Sequence, residues 1–425
     1  MTVNLDTISP LKTWDQHYSD RALALSSSEV RALFAVSSRP EIVSLAGGMP
    51  LVSGPSFDQL DESLRRVLAF HGSRALQYGS GQGAFGLREH ISALMESQGV
   101  QASPDDVVVT TGSQQALELL TKIFVNPGDI VLTEAPTYVG AIGVFRSYQA
   151  EIAQVPIDHS GLIPEMLEEH IQRLRAAGKT VKFLYTIPNF HNPSGITLSN
   201  ERRIQIIEIC KRNNVLIVED DPYGMLFFTE ATPPAMRSMS NEVVYLGSFS
   251  KTLAPGLRVG WTLAPREIRE KLILAVESAI LCTSSFNQYV VSDYLTNVNW
   301  ENHLGLLRYT YHGRKKAMVR ALKESLGDLS WTDPGGGFFV WLSLPEELDS
   351  QKMLPQAIQE LVAYTPGTAF YANGDGRKNI RLSFCYPTEK EINIGIKRLA
   401  AVINVERNTL HNNAREIRGS LIRHL

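Results

Sequence analysis

The stretch Ser248-Phe-Ser-Lys251-Thr-Leu-Ala-Pro-Gly-Leu-Arg258 sets one lysine between hydroxyls and a guanidinium. Apolar, strand-like runs flank it, Val243 to Gly247 on one side and Val259 to Thr262 on the other. An amine so placed can condense with an aldehyde to a Schiff base, while Ser248, Ser250 and Arg258 hold an anion beside it. The aldehyde cofactor that also carries a phosphate is pyridoxal 5′-phosphate. Taken alone, a lysine near Ser and Gly is more often a solvated loop residue, so the reading depends on the rest of the chain.

Four further segments bear on that chemistry. Asp220-Asp-Pro-Tyr223 follows the apolar run Val215 to Val218. A carboxylate at the end of a buried strand is costly unless it meets a cation, and a protonated pyridine nitrogen is one. The competing reading of Asp220 is a turn residue ahead of Pro222. Tyr223 offers a hydroxyl to a phenolate oxygen, and Asn192, within Pro188-Asn-Phe-His-Asn-Pro-Ser-Gly195, offers a side-chain amide to the same atom. Asn-Pro and Ser-Gly are turn formers in any case. Thr111-Gly-Ser113-Gln114 opens a helical pattern, whose free N–H groups and dipole suit a phosphate; the simpler reading makes Ser113 an N-cap. Arg381 lies on an apolar strand and is either an ordinary edge residue or a bidentate clamp for a substrate carboxylate.

The elements that must hold these residues alternate along the chain. Val107 to Thr111, Ile130 to Thr133, Val181 to Tyr185, Val215 to Val218 and Val243 to Leu246 read as strands. Ser113 to Phe124 and Arg202 to Arg212 read as helices, the second with Ile204, Ile206, Ile207 and Ile209 turned inward. Near-continuous apolar strands separated by helices predict an α/β fold with a mostly parallel sheet buried on both faces. Ligands of such sheets sit beyond the carboxyl ends of the strands, and Gly112, Asn192, Asp220 and Lys251 all follow strands. From about residue 310 the pattern becomes that of a smaller α+β domain: a helix over His312 to Leu326, strands at Phe339 to Leu342 and Asn379 to Phe384, and a helix over Glu389 to Val405. The expected organisation is a segment 1–45 packing with the small domain, a large domain 46–309 and a small domain 310–425. The basic tail from Glu406 to Leu425 reads as a solvated helix or a frayed end.

Composition narrows the function classes. The 425 residues carry 41 Lys and Arg against 44 Asp and Glu, a net charge of −3, which lacks the basic excess of a nucleic-acid binder. Three widely spaced cysteines form neither a disulfide framework nor a CxxC metal site. With no signal peptide and no apolar span of membrane length, a cytoplasmic protein without metal is expected. Gly81-Gln-Gly-Ala-Phe-Gly86 matches the dinucleotide fingerprint, but the preceding Ser73 to Gly79 is short and polar where a buried strand is required.

Together these segments resemble the class I/II aminotransferases, pyridoxal-phosphate enzymes of the aspartate-aminotransferase fold (fold type I), from about Ser28 to Val405. The nearest subgroup is that of kynurenine/2-aminoadipate aminotransferases and the aminotransferase-like half of MocR-type regulators. Ser28-Glu-Val-Arg31, Ser44-Leu-Ala-Gly-Gly-Met-Pro50, Leu76-Gln-Tyr-Gly79 and Glu219-Asp-Asp-Pro-Tyr223 carry that closer likeness. The resemblance implies that Lys251 forms the Schiff base, that Asp220 pairs with the pyridine nitrogen, and that Asn192 and Tyr223 contact the phenolate oxygen. It implies that Ser113, Gln114, Ser248, Ser250 and Arg258 hold the phosphate, that Tyr138 stacks on the ring, and that Arg381 binds the substrate carboxylate. It further implies a homodimer in which Tyr78 reaches the partner's phosphate, with Gly48 beside the substrate and Arg31 on a segment touching its side chain. Met49 and Gly224 depart from the common pattern and are expected to reshape the substrate pocket. The implied activity is ping-pong transamination from an L-amino acid, with 2-oxoglutarate as acceptor. A β-lyase, decarboxylase or racemase shares the same cofactor residues. A regulator would need a DNA-binding domain, and a nicotinamide dehydrogenase would need the glycine fingerprint to be real.

Overall fold

The computed structural model describes residues 14–23, 25, 39–52 and 55–422. Its largest element is an eight-stranded sheet in the order Val107–Thr110, Gly260–Leu263, Val244–Ser248, Leu216–Asp220, Val181–Thr186, Ile130–Ala135, Glu151–Asp158, Gly161–Leu162. The central pairings are parallel. Gly260–Leu263 runs antiparallel to both its neighbours, and Gly161–Leu162 closes a short antiparallel edge. Alternate strand residues enter different cores. Val131, Phe183, Tyr185 and Val218 join one apolar cluster, whereas Ile130, Leu132, Leu184 and Ile217 join another. Two-sided burial is the physical cause of the near-continuous apolar runs.

The strand that leads into Lys251 depends on one close approach. Gly247 lies directly opposite Trp261 across the ladder, and a Cβ at 247 would sit 2.1 Å from the indole. Trp261 is almost wholly buried, so any side chain at 247 displaces either the ring or the strand.

A second, four-stranded antiparallel sheet contains Ser330–Trp331, Phe339–Ser343, Asn379–Ser383 and Thr365–Pro366. Val43–Ser44 pairs in parallel with Val362–Ala363.

The structure revises several expected details. The helix expected from His312 begins at Trp300 and runs unbroken to Leu326. Its start is set by Asn299, whose side chain accepts from the Asn302 amide at 2.9 Å. Residues 309 and 310 therefore lie inside one continuous helix. The last helix runs from Glu389 to Ile422, past the expected end at Val405. Ile204 is 45 % exposed, because Arg203, Ile206, Ile209 and Cys210 form the inward stripe of its helix. The glycine fingerprint at Gly81 is preceded by the helix Pro55–Ala75 and a turn. With no strand ahead of it, the geometry of a dinucleotide site is missing.

Candidate active site

One cavity of about 520 Å³ lies at the carboxyl ends of the parallel strands, a volume typical of small-molecule sites. It gathers Gly48, Ser113, Gln114, Tyr138, Asn192, Asp220, Tyr223, Ser248, Ser250, Lys251, Arg258 and Arg381. Tyr78 does not line it and is 77 % exposed. Arg31 lies outside the described residues.

The anion-binding end is built from backbone constraints. Gly112 precedes the helix Ser113–Phe124 with φ 78° and ψ 164°, a region essentially restricted to glycine. A Cβ there would stand 2.6 Å from Arg258 Nη2. Gly112, not Ser113, is the N-cap, and no side chain caps this helix, so its first N–H groups have no intrahelical acceptor. Arg258 adopts left-handed backbone angles, φ 52° and ψ 47°, which cost about 1–2 kcal/mol for a residue with a Cβ. The guanidinium is held over the helix start by the Thr111 carbonyl at 2.9 Å and Ser250 Oγ at 3.4 Å. Ser250 is itself placed by a bond from its amide to Ser248 Oγ at 3.0 Å.

Lys251 donates from Nζ to the Gly48 carbonyl at 3.0 Å. Burial pushes its amine below the ordinary lysine range, which raises the neutral, nucleophilic fraction. Asp220 ends its strand in a buried position. Its Oδ2 accepts from the Tyr185 hydroxyl at 2.7 Å, and its Oδ1 is buried without a partner. Burial pushes the Asp220 carboxyl up to about 7; the Tyr185 bond opposes this and the Asp221 charge adds to it. Asp221 points the other way, bonded by Asn189 Nδ2 (3.0 Å), the Gly224 amide (2.8 Å) and the Tyr245 hydroxyl (3.3 Å).

Arg381 forms the opposite wall. It is 3 % exposed, sandwiched between Phe339 and Phe370 at 4.2 and 4.9 Å from the ring centroids. Its Nη1 donates to Asn192 Oδ1 at 2.9 Å and its Nη2 to the Ala46 carbonyl at 2.6 Å; Nε has no partner. Burial lowers this guanidinium to about 10. No carboxylate of a described residue pairs with it. A buried guanidinium with an unused N–H, facing a cavity, is suited to a ligand carboxylate. Tyr223 packs edge-on against Phe338 and Phe339, and burial raises its phenol.

Two residues fall otherwise than expected. Gly224 does not line the cavity; its amide caps Asp221, and a Cβ there would meet Asp221 Oδ2 at 2.4 Å. Tyr185 reads in the sequence only as an apolar strand residue, yet it is the hydrogen-bond donor to Asp220. The signal that finds it is strand register, which motif reading does not supply.

The donor set fits pyridoxal 5′-phosphate. The uncapped helix start with Arg258 and two serines suits a dianion, the orphaned Asp220 Oδ1 suits a protonated ring nitrogen, and the amine of Lys251 lies in the same cavity.

The chain belongs to the aminotransferase class I and II family, which it matches over residues 42–399. It is 40 % identical over 402 residues to the aromatic-amino-acid aminotransferase 1 of Thermococcus litoralis, covering 94 % of this chain and 96 % of that one. The Pyrococcus horikoshii kynurenine aminotransferase, solved with PMP, superposes with a TM-score of 0.89 at 39 % identity, covering 94 % of this chain and 99 % of that one. The alpha-aminoadipate aminotransferase of Thermus thermophilus, solved with N-(5′-phosphopyridoxyl)-L-leucine, gives 0.85 at 34 %, covering 92 % and 98 %. The protein is therefore a pyridoxal-phosphate-dependent aminotransferase of fold type I, acting on amino acid and oxo acid substrates.

Proposed function

We propose that the protein transfers the amino group of an L-amino acid with an aromatic, 2-aminoadipate or branched-chain side chain to a 2-oxo acid, 2-oxoglutarate, by a ping-pong mechanism. The observation that carries this reading is the single cavity that unites Lys251, Asp220 and Arg381. The aromatic, kynurenine and aminoadipate specificities of the relatives support the range of donors. So do the apolar walls formed by Met49, Pro50, Val139, Ile187 and Phe339.

When bound, the cofactor supplies a carbonyl carbon that accepts the amino group and a ring that withdraws electrons from the substrate α-carbon. Asp220 Oδ1 pairs with the ring nitrogen and keeps it protonated. Asn192 Nδ2 and the Tyr223 hydroxyl hold the phenolate oxygen, and Tyr138 covers the ring face. Ser113, Gln114, Ser248, Ser250 and Arg258 hold the phosphate. Arg381 takes the substrate carboxylate, with Asn192 fixing its plane. Lys251 Nζ, its basicity lowered by burial, would act as base toward the substrate α-proton and then as acid toward the cofactor's carbonyl carbon. The Gly48 carbonyl steers the amine toward the substrate side of the cavity.

The same reading divides the chain into a segment 1–45, a large domain 46–309 and a small domain 310–425, joined through the helix Trp300–Leu326. The pairing of Val43–Ser44 with Val362–Ala363 supports docking of the first segment on the small domain. It also makes the active form a homodimer, with Tyr78 serving the partner's site, in the cytoplasm. The exposed position of Tyr78 away from its own cavity supports this arrangement. Among the described residues no helix is long and apolar enough to cross a membrane.

The test is optical. Purified protein is expected to be yellow, to bleach with aromatic, 2-aminoadipate or branched-chain donors, and to recover with 2-oxoglutarate. Lys251→Ala is expected to lose turnover. Protein that takes up no cofactor, or that releases ammonia or carbon dioxide in place of an oxo acid, would overturn the reading.

A further inference from the structure

The strand Val181–Thr186 carries a residue that the chemistry above leaves unused. In the parallel ladder Tyr185 pairs with Val218. Tyr185 and Asp220 therefore project from the same face of the sheet, diagonally across neighbouring strands. The Tyr185 side chain is fully buried, and its ring packs edge-on against Phe145 at 5.7 Å. Packing thus leaves the hydroxyl little freedom, and it donates to Asp220 Oδ2 at 2.7 Å. The carboxylate is anchored by one oxygen only, and Oδ1 remains buried without a partner at the cavity. We propose that Tyr185 is a positioning residue, whose hydroxyl orients the Asp220 carboxylate so that Oδ1 is presented to the ring nitrogen of the cofactor. This rests on the assignment of Asp220 in the preceding subsection.

The surroundings give the bond a second consequence. Burial, the neighbouring Asp221 and Glu134, which lies on the strand beyond that of Tyr185, all favour the protonated carboxyl, whereas Tyr185 and Lys251 favour the ionised one. Among the described residues Tyr185 makes the only hydrogen bond to this carboxylate. Removing it leaves an acid that is neutral near pH 7 and free to rotate, and a neutral acid does not hold a proton on the ring nitrogen. Sequence motifs do not reveal this, because a tyrosine on a buried strand reads as core.

The experiment uses Tyr185→Phe, which removes the hydroxyl and keeps the ring. The enzyme is freed of cofactor with an amino donor and titrated with pyridoxal 5′-phosphate, followed by tryptophan fluorescence. Cofactor affinity is expected to fall about tenfold or more. In the reloaded enzyme kcat falls while the donor KM changes by less than about threefold, since Arg381 and Asn192 are untouched. The same substitution is made in Asp220→Asn, where its effect on affinity is expected to shrink to within about twofold. Unchanged affinity in Tyr185→Phe would overturn the proposal. So would an equal loss in both backgrounds, which is the signature of a merely structural tyrosine. If Tyr185→Phe does not fold, Tyr185→His, which retains a ring donor, must bind the cofactor more tightly than Tyr185→Leu, and the reverse order overturns the proposal. Wild-type protein that binds no cofactor would instead defeat the assignment of Asp220 itself.

Discussion

Asp220 and Asp221 are neighbours in sequence with opposite surroundings. Strand alternation sends one side chain toward the cavity and the other toward Asn189, Tyr245 and the Gly224 amide. Asp221 is bonded through both oxygens, whereas Asp220 keeps one oxygen free. This asymmetry has a measurable signature in pH. The folded-state value of Asp220 is raised to about 7 from an ordinary 3.8. Its favourable contribution is therefore complete only below about pH 4 and is lost as pH rises through 7. Asn at this position does not titrate. Cofactor-free Asp220→Asn is thus expected to gain stability over cofactor-free wild type between pH 5 and pH 8, on the order of a few kcal/mol. Urea unfolding at fixed chain concentration measures the gap, and a gap that stays flat with pH would contradict the raised value.

At the scale of elements, the site is an assembly of strand ends and a helix start. The turn from Val107–Thr110 into Ser113–Phe124 works only with glycine at 112, because of its backbone angles and because Arg258 fills the space of a Cβ. Gly112→Ala is expected to destabilise the fold by about 1–3 kcal/mol. It should also weaken binding of pyridoxal 5′-phosphate, since the guanidinium must move away from the helix start. Thermal unfolding and cofactor titration of the same preparation test both effects. Wild-type cofactor affinity in a folded Gly112→Ala protein would show that the Arg258 position is not critical. Across the cavity, Arg381 is placed by the pairing of its strand with Phe339–Ser343 and Thr365–Pro366. The guanidinium proposed to take the substrate carboxylate thus sits on a sheet distinct from the one whose strand Val244–Ser248 leads into Lys251.

At the scale of the whole molecule, Phe70, Leu76, Tyr78 and Leu281 are each more than 60 % exposed. A second copy of the chain would cover such residues, and Tyr78 is proposed to act across that contact. Chains bearing Tyr78→Phe and chains bearing Lys251→Ala are each expected to be impaired. Co-refolded one to one, they should recover up to about a quarter of wild-type activity, because half the dimers then hold one intact site. Activity no higher than the mean of the two parents would place the Tyr78 hydroxyl outside the partner's site.

Much of the site is legible from residue types alone. Lys251, Asp220, Asn192, Ser113 and Arg258 sit in short segments where local chain direction, strand then turn then helix, already implies convergence at one sheet edge. Apolar periodicity likewise reveals the two-sided sheet, since burial on both faces leaves a run of Val, Ile and Leu. Other features require pairing between distant segments. The bond from Tyr185 to Asp220 depends on the register of two parallel strands, and Gly224 answers to Asp221 and not to the cavity. The helix through residues 309 and 310 hides any boundary that composition suggests. Local sequence determines which groups exist and which way a strand delivers them. Only the folded chain decides which buried polar atoms meet and which, like Asp220 Oδ1, are left over for a ligand, because that depends on contacts between segments that sequence adjacency does not encode.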